Sequence, residues 1–363
     1  MTGEPDLDHH GDVEARGAKL DFAVNVVPGP PWFITQAMQV ALVDVAAYPD
    51  EGPTRRLLAA RLGVDPEAVL LVNGVAEAFT LIARLAAWRQ PVVVHPQFTE
   101  PEAALRVAGH LPERLVLSAP DWGDAADRGD AVDAFTLTPA AIADPVLEGA
   151  DLVVVGNPTN PTSRLHEARA VSALRGRGAT GTSLLVVDEA FMDVVGDESE
   201  SLQVAAATTP GLVVLRSLTK TFALAGIRAG YVVGEPALIG RLRAQQPPWS
   251  VNSVALGAVR ASLTAEAEEY VASVVARLDR WRPYEEAGLT ERGWQVVPRG
   301  RAPFMLARHP HAARIREELR SEGIAVRRGD TFPGLGNDWA RFALRPPSAC
   351  DQLFDALDRI SSP

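Results

Sequence analysis

Five short stretches in the first two-thirds of the chain carry unbroken apolar cores: VLLV at 69–72, PVVVHP at 91–96, DLVVVGNP at 151–158, SLLVVDEA at 183–190 and GLVVLRS at 211–217. A run that is apolar at every position, instead of every second one, marks a strand covered on both faces. The segments between them repeat apolar residues three and four apart, as with Phe79, Ile82, Ala83 and Leu85 in 76–88. This β-α-β alternation predicts an α/β fold whose large domain is an open, mostly parallel sheet sandwiched by helices, with right-handed crossovers. After about Pro236 the pattern changes. Two long helical stretches cover 252–289, and strand-like pieces at 294–298, 303–308, 324–328 and 339–345 interleave with helical segments 310–321 and 348–360. That mixture predicts a smaller α+β domain. The Pro247-Pro248 pair in 245–250 marks the hinge, because proline cannot continue a helix. Residues 1–34 have no periodicity and are expected to form an arm joining the small domain. The expected division is therefore arm 1–34, large domain 35–245 and small domain 246–363.

Composition narrows the partners. The chain has 363 residues, 47% hydrophobic and 22% charged, and 35 Lys+Arg against 46 Asp+Glu give a net charge of −11. That field repels a polyanion, so nucleic acid is not an expected partner, while a local arginine cluster can still take a small phosphorylated ligand. The single cysteine, Cys350, removes intrachain disulfides and cysteine-based metal sites. No apolar run approaches the length of a membrane span, and the start MTGEPDLDHHGDVEARGAKLD is polar and acidic, so a cytoplasmic protein without membrane association is expected.

In an open parallel sheet, ligands bind beyond the carboxyl ends of the strands. There the chain places Asn73-Gly74, Phe98, Asn157, Asp188 and Ser217 to Lys220. Each alone is an ordinary turn or cap residue; their convergence from five strand ends points to a site. Lys220 lies in SLTKTFALAGIRAGY (217–231) among apolar residues with no acid within several positions. Desolvation disfavours an ammonium there, and a neutral amine is a nucleophile toward carbonyls, the requirement for a Schiff base. Asp188 is then the carboxylate that keeps a pyridine nitrogen protonated. A cofactor phosphate needs donors, and Ser217, Arg228 and the amides of Val75 and Ala76 after Asn73-Gly74 at a helix N-terminus supply them.

Through GNPTNPT (156–162), VVDEAFMD (186–193) and SLTKTFALAGIRAGY (217–231), nearly the whole chain resembles the fold-type I pyridoxal-phosphate enzymes of the aminotransferase class I/II group. The resemblance implies a pyridoxal 5'-phosphate cofactor bound to Lys220, with Asp188 on the pyridinium and Asn157 donating to the ring O3′. It further implies Ser217 and Arg228 on the phosphate, and a homodimer in which Tyr48 of AAYPDEG (46–52) serves the partner's site. The segment LDFAVNVVPGPP (20–31), which holds Asn25 as a substrate-binding candidate, follows His10-Gly11-Asp12. Together with HPQFTEPEAAL and QPPWSVNSVAL it is similar to the threonine-phosphate decarboxylases and the related CobC proteins of cobalamin biosynthesis, and through them to histidinol-phosphate aminotransferases. Two departures stand out. Phe191 replaces the tyrosine whose phenol reaches O3′ in relatives, and Pro101 stands where an aromatic stacks, leaving Phe98 for that task.

Substrate recognition is expected from the small domain. Alternation puts Arg341, Ala343 and Arg345 on one face of a strand. By resemblance, Arg341 clamps an α-carboxylate and Arg327 a distal phosphate. Arg328 and Arg345 are further cations nearby, whereas His95 and His166 have no metal-site spacing. Three functions follow: a decarboxylase acting on threonine phosphate or a similar O-phosphorylated amino acid; a transaminase using histidinol phosphate or an aromatic amino acid with 2-oxoglutarate; or a non-catalytic cofactor-binding regulator. Phe191 and the N-terminal segment favour the first.

Overall fold

The computed structural model describes residues 5–27, 29–119, 134–175 and 183–361. Its larger sheet has seven strands: β2 (Val69–Asn73), β3 (Pro91–His95), β4 (Glu113–Val116), β5 (Leu152–Gly156), β6 (Leu184–Asp188), β7 (Leu212–Ser217) and β8 (Ala229–Gly234). Their order is β2-β8-β7-β6-β5-β3-β4. The five strands β7 to β4 run parallel, and β8 is antiparallel to both β2 and β7. All five expected runs are strands, and the structure adds β4 and β8, which the apolar pattern had not singled out.

Alternate residues of these strands enter separate cores. Leu71, Val92, Val94, Val153, Val155, Leu185, Val187 and Val214 pack on one face. Leu70, Val72, Val93, Leu152, Val154, Val186, Val213 and Val232 pack on the other, with Phe79 and Ile82 of helix Val75–Arg84. Both faces are covered, which is why the runs are apolar throughout.

The smaller sheet has the order β1-β11-β12-β10-β9, with β1 (Leu20–Phe22), β9 (Gln295–Val296), β10 (Phe304–Arg308), β11 (Ile324–Arg328) and β12 (Trp339–Ala343). The arm is thus part of this sheet, since β1 pairs in parallel with β11. Helix Ser253–Ala261 buries Ala255, Leu256 and Val259 in the core of the large sheet, so the change of core does not coincide with Pro247-Pro248. It falls inside the long helix Ala265–Glu291, where Ala267 belongs to the large core and Val274, Leu278 and Leu289 to the small one. Among the described residues, no helix is long and apolar enough to cross a membrane.

Candidate active site

The carboxyl ends of β5, β6 and β7, the first residues of helix Val75–Arg84, the arm and the face of the small sheet enclose a cavity of about 270 Å³. Lys220 sits at its floor in the short helix Leu218–Thr221 that follows β7. Its ammonium donates to Asn25 Oδ1 at 3.0 Å. Burial, reinforced by the positive charges of Arg341 and Arg228 and opposed by Asp188, lowers its pKa to about 8. Asp188, at the end of β6, accepts from the Ala190 amide at 3.1 Å. Burial raises its pKa to about 6 against the amide bond and the attraction of Lys220. It is therefore ionised at neutral pH.

One end of the cavity is built from backbone as much as side chain. Gly74 caps helix Val75–Arg84 at φ 72°, and a Cβ there would lie 2.7 Å from Arg228 Nη2. The positive φ favours glycine there and keeps Arg228 close to the helix N-terminus, whose residues Val75 and Ala76 line the cavity. Arg228 itself holds φ 64°, a conformation costing on the order of 1 kcal/mol that is tolerated where function over-determines it. Ser217, Phe98 and Phe191 also line the cavity. The Phe98 ring lies 5.6 Å from the ring of His10. Asn73 is exposed and off the cavity, its amide donating to Glu77 Oε2.

Asn157 is not where the sequence placed it. Its carboxamide is fully buried and spent on the main chain of His166, donating to the carbonyl at 3.1 Å and accepting from the amide at 2.8 Å. The second asparagine of GNPTNPT, Asn160, lines the cavity instead and accepts from Arg341 Nη1. Two asparagines three apart in one turn cannot be ranked by residue type, and only the turn's path separates them. His166 is held neutral in the core, with burial pushing its pKa down to about 3.

Arg327 and Arg341 are cross-strand partners on β11 and β12, and both line the cavity. Arg341 donates to the Ala23 carbonyl and lies over the Phe304 ring at 5.0 Å. Arg327 donates to the His9 carbonyl at 2.7 Å and lies 4.7 Å over Phe332. Among the described residues, Arg327 Nη1 and Arg341 Nε are buried without a partner. Arg328 pairs with Asp330, and Arg345 donates to the Asp21 and Val24 carbonyls at 2.6 Å, so neither serves the cavity. Tyr48 is 76% exposed, stacked 4.2 Å from Trp249 and remote from its own chain's cavity.

A brace that sequence reasoning did not name lies behind the site. Arg216 on β7 is 4% exposed and pairs with Glu189 at 3.0 Å and with Asp193 and Glu198. Asp193 also accepts from Thr221 Oγ1 at 3.0 Å. The brace ties the neighbours of Asp188, Ser217 and Lys220 together. The amine, the carboxylate, and the arginine with a helix N-terminus are the donor set that pyridoxal 5′-phosphate requires, and the residues present fit it.

Comparison with known proteins agrees with this site. The family model for aminotransferase class I and II matches residues 19–357. A histidinol-phosphate aminotransferase of Mycobacterium tuberculosis is 41% identical over 342 residues, 93% of this chain and 87% of the relative. A threonine-phosphate decarboxylase of Salmonella typhimurium is 29% identical over 346 residues, 94% of this chain and 91% of the relative. The structure of histidinol-phosphate aminotransferase from Sinorhizobium meliloti in complex with pyridoxal-5′-phosphate superposes with TM-score 0.78 at 22% identity, covering 96% of this chain and 94% of that one. With its strand-end lysine and aspartate in place and the match running almost from end to end, the chain belongs to the aminotransferase class I and II family.

Proposed function

We propose that this pyridoxal-phosphate enzyme acts on a small amine that carries two anionic groups, an O-phosphorylated amino acid of the threonine-phosphate type, and decarboxylates it as a CobC-type enzyme of cobalamin biosynthesis would. The observation that carries the reading is the Arg327–Arg341 pair. Two like charges set directly opposite on adjacent strands repel, and each keeps a buried N–H without a partner. Such an arrangement is stabilised when anions arrive, and a substrate with both carboxylate and phosphate engages both arginines at once.

Bound pyridoxal 5′-phosphate supplies an electron sink for charge left at the substrate α-carbon. Arg228, Ser217 and the amides of Val75 and Ala76 would hold its phosphate, Asp188 its ring nitrogen, and Asn160 its ring oxygen. The chain's own residues set the outcome. Arg341 and Arg327 fix both ends of the substrate and so decide which bond at the α-carbon lies across the ring plane. Lys220, with its lowered pKa, can hold or deliver a proton beside that carbon. Phe191 packs edge-on against Phe304 at 5.0 Å and offers no hydroxyl to the cavity.

The second reading, a histidinol-phosphate transaminase, is favoured by the name of the Mycobacterium tuberculosis relative. Incubating the protein with threonine phosphate, and separately with histidinol phosphate plus 2-oxoglutarate, and identifying products by mass decides between them. Carbon dioxide and an aminopropanol phosphate support the first; glutamate and an oxo-phosphate support the second.

A homodimer is part of the proposal. Trp32, Val40, Val43, Val45, Tyr48 and Trp249 are all more than half exposed, and exposed large apolar side chains of this kind fit an association surface. Tyr48, stacked on Trp249 among them, would then reach the partner's cofactor phosphate.

A further inference from the structure

The arm closes the cavity from one side and is bonded to both bodies of the molecule. On the large side, the Leu7 carbonyl accepts from Thr99 Oγ1 at 2.6 Å, and His10 packs on Phe98 and lies 3.7 Å from Glu100. On the small side, the His9 carbonyl accepts from Arg327. Immediately afterwards the chain makes the short helix Gly11–Ala15. Its Gly11 packs so closely that a Cβ would stand 2.8 Å from the Ala23 carbonyl, the acceptor of Arg341. What anchors this helix is Glu14. The carboxylate is 4% exposed, accepts from two guanidinium groups, Arg320 Nη1 at 2.9 Å and Arg316 Nη1 at 3.2 Å, and lies 3.0 Å from His9 Nε2. Both arginines belong to helix Ala312–Ser321 on the small body.

We propose that Glu14 is a positioning residue for substrate binding: its pairing with His9, Arg316 and Arg320 holds residues 7–12 across the cavity as a strap and fixes Arg327 through the His9 carbonyl. Glu14 touches no reacting group. Its effect passes through one bond, Arg327 to His9, which fixes the guanidinium at the cavity wall. The proposal rests on the reading of Arg327 as the partner of a distal anion.

The second seam between the two bodies is closed independently. Ser163 accepts from the Ala302 amide at 2.8 Å through its hydroxyl and from the Arg301 amide at 2.7 Å through its carbonyl. None of Glu14's partners takes part in that seam, so a change at Glu14 is expected to loosen the arm alone.

The test uses the full chain loaded with pyridoxal 5′-phosphate, so that the cofactor's own phosphate site is filled, and inorganic phosphate as the probe. Glu14→Ala should speed hydrogen–deuterium exchange in residues 5–16 and weaken phosphate binding by about tenfold, the effect of losing one charge-assisted contact. The turnover number at saturating substrate should change by less than about twofold while KM rises, a split that a general loss of stability does not produce. Glu14→Gln should fall between Glu14→Ala and the parent. Arg316→Met should move both readouts in the same direction, and it serves if Glu14→Ala fails to fold. Parent-like exchange in Glu14→Ala overturns the proposal, and so does faster exchange with unchanged phosphate affinity. Failure of the parent to bind phosphate refutes Arg327 as an anion partner and takes the proposal with it, while the exchange data alone would still show whether Glu14 holds the arm.

Discussion

Arg327 and Arg341 stand opposite one another in the register of β11 and β12, with their guanidinium groups lining a single cavity. Burial, and after it the charge of Arg327, holds Arg341 well below the ordinary arginine pKa. A sheet that needed only stability would not place this pair there. Arg327→Ala should penalise phosphorylated substrates by about 2–4 kcal/mol in kcat/KM and leave unphosphorylated amino acids nearly unaffected. Arg341→Lys should weaken every substrate with an α-carboxylate, because an ammonium cannot reproduce the planar two-bond fork. Equal losses on phosphorylated and plain substrates would rule out a phosphate-specific enzyme. Indifference of histidinol phosphate to Arg341→Lys, alongside dependence on Arg327, would transfer the assignment to the transaminase.

Lys220 should be the only lysine fixed to the cofactor by borohydride, and peptide mapping checks this directly. Because its pKa is about 8 and not the ordinary 10.5, capture of pyridoxal 5′-phosphate by the apoprotein should accelerate as pH rises through about 8 and then level off. An exposed lysine would keep accelerating toward pH 10. Lys220→Ala should abolish turnover and preserve the fold.

Asp188 faces the same cavity with the Ala190 amide as its hydrogen-bond donor. Asp188→Asn keeps the shape and removes the charge, so cofactor should remain bound while turnover falls by on the order of 10² or more. Near-native activity in this variant would place the ring nitrogen elsewhere.

How far the sequence led depended on the kind of signal. The strands of the large sheet were legible because burial on both faces leaves an uninterrupted apolar run, and Lys220 and Asp188 because they follow such runs. β4 escaped, since its sequence Glu-Arg-Leu-Val buries only Leu115 fully. β8 escaped because Gly230 and Tyr231 interrupt the aliphatic pattern. Asn160 was missed in favour of Asn157 because spacing along a turn does not show which side chain turns inward. The Glu14 cluster joins residues about three hundred positions apart, and a single sequence carries no record of such a contact.

The exposed apolar surface gives a prediction about assembly. Val43 is 82% exposed, so Val43→Asp should not disturb a monomer's core. In sedimentation it should shift a dimer toward monomer and, if Tyr48 serves the neighbouring site, weaken cofactor retention in parallel. A parent protein that sediments as a monomer would remove the role given to Tyr48.

Glu285, in the helix Ala265–Glu291, is fully buried. One oxygen accepts from the Arg345 amide at 3.1 Å and lies 3.5 Å from Cys350 Sγ, and the other has no partner among the described residues. Burial outweighs these bonds and the charges of Arg345 and Arg282, pushing the pKa from 4.5 to about 8. The folded protein therefore keeps a proton between pH 4.5 and about 8 that the unfolded chain has already released. Stability from this group is highest below pH 4.5, falls as pH rises through that window, and is constant above about 8. Three other shifted groups act outside the interval from pH 6.5 to 8. Asp188, raised from 3.8 to about 6, has finished its own loss by pH 6. Lys220, lowered from 10.5 to about 8, adds stability with rising pH only above about 8. His166, lowered from 6.5 to about 3, adds it only below 6.5. Between pH 6.5 and 8 Glu285 contributes a falling slope, in the same direction as any contribution from the raised carboxyls of Glu189 and Glu51. Glu285→Gln, uncharged throughout, should flatten the fall of Tm across that interval and leave the variant more stable than the parent at pH 8. Thermal unfolding of both proteins at pH 6.5, 7.2 and 8 measures the difference, and parallel curves would mean that the carboxyl ionises normally in the fold.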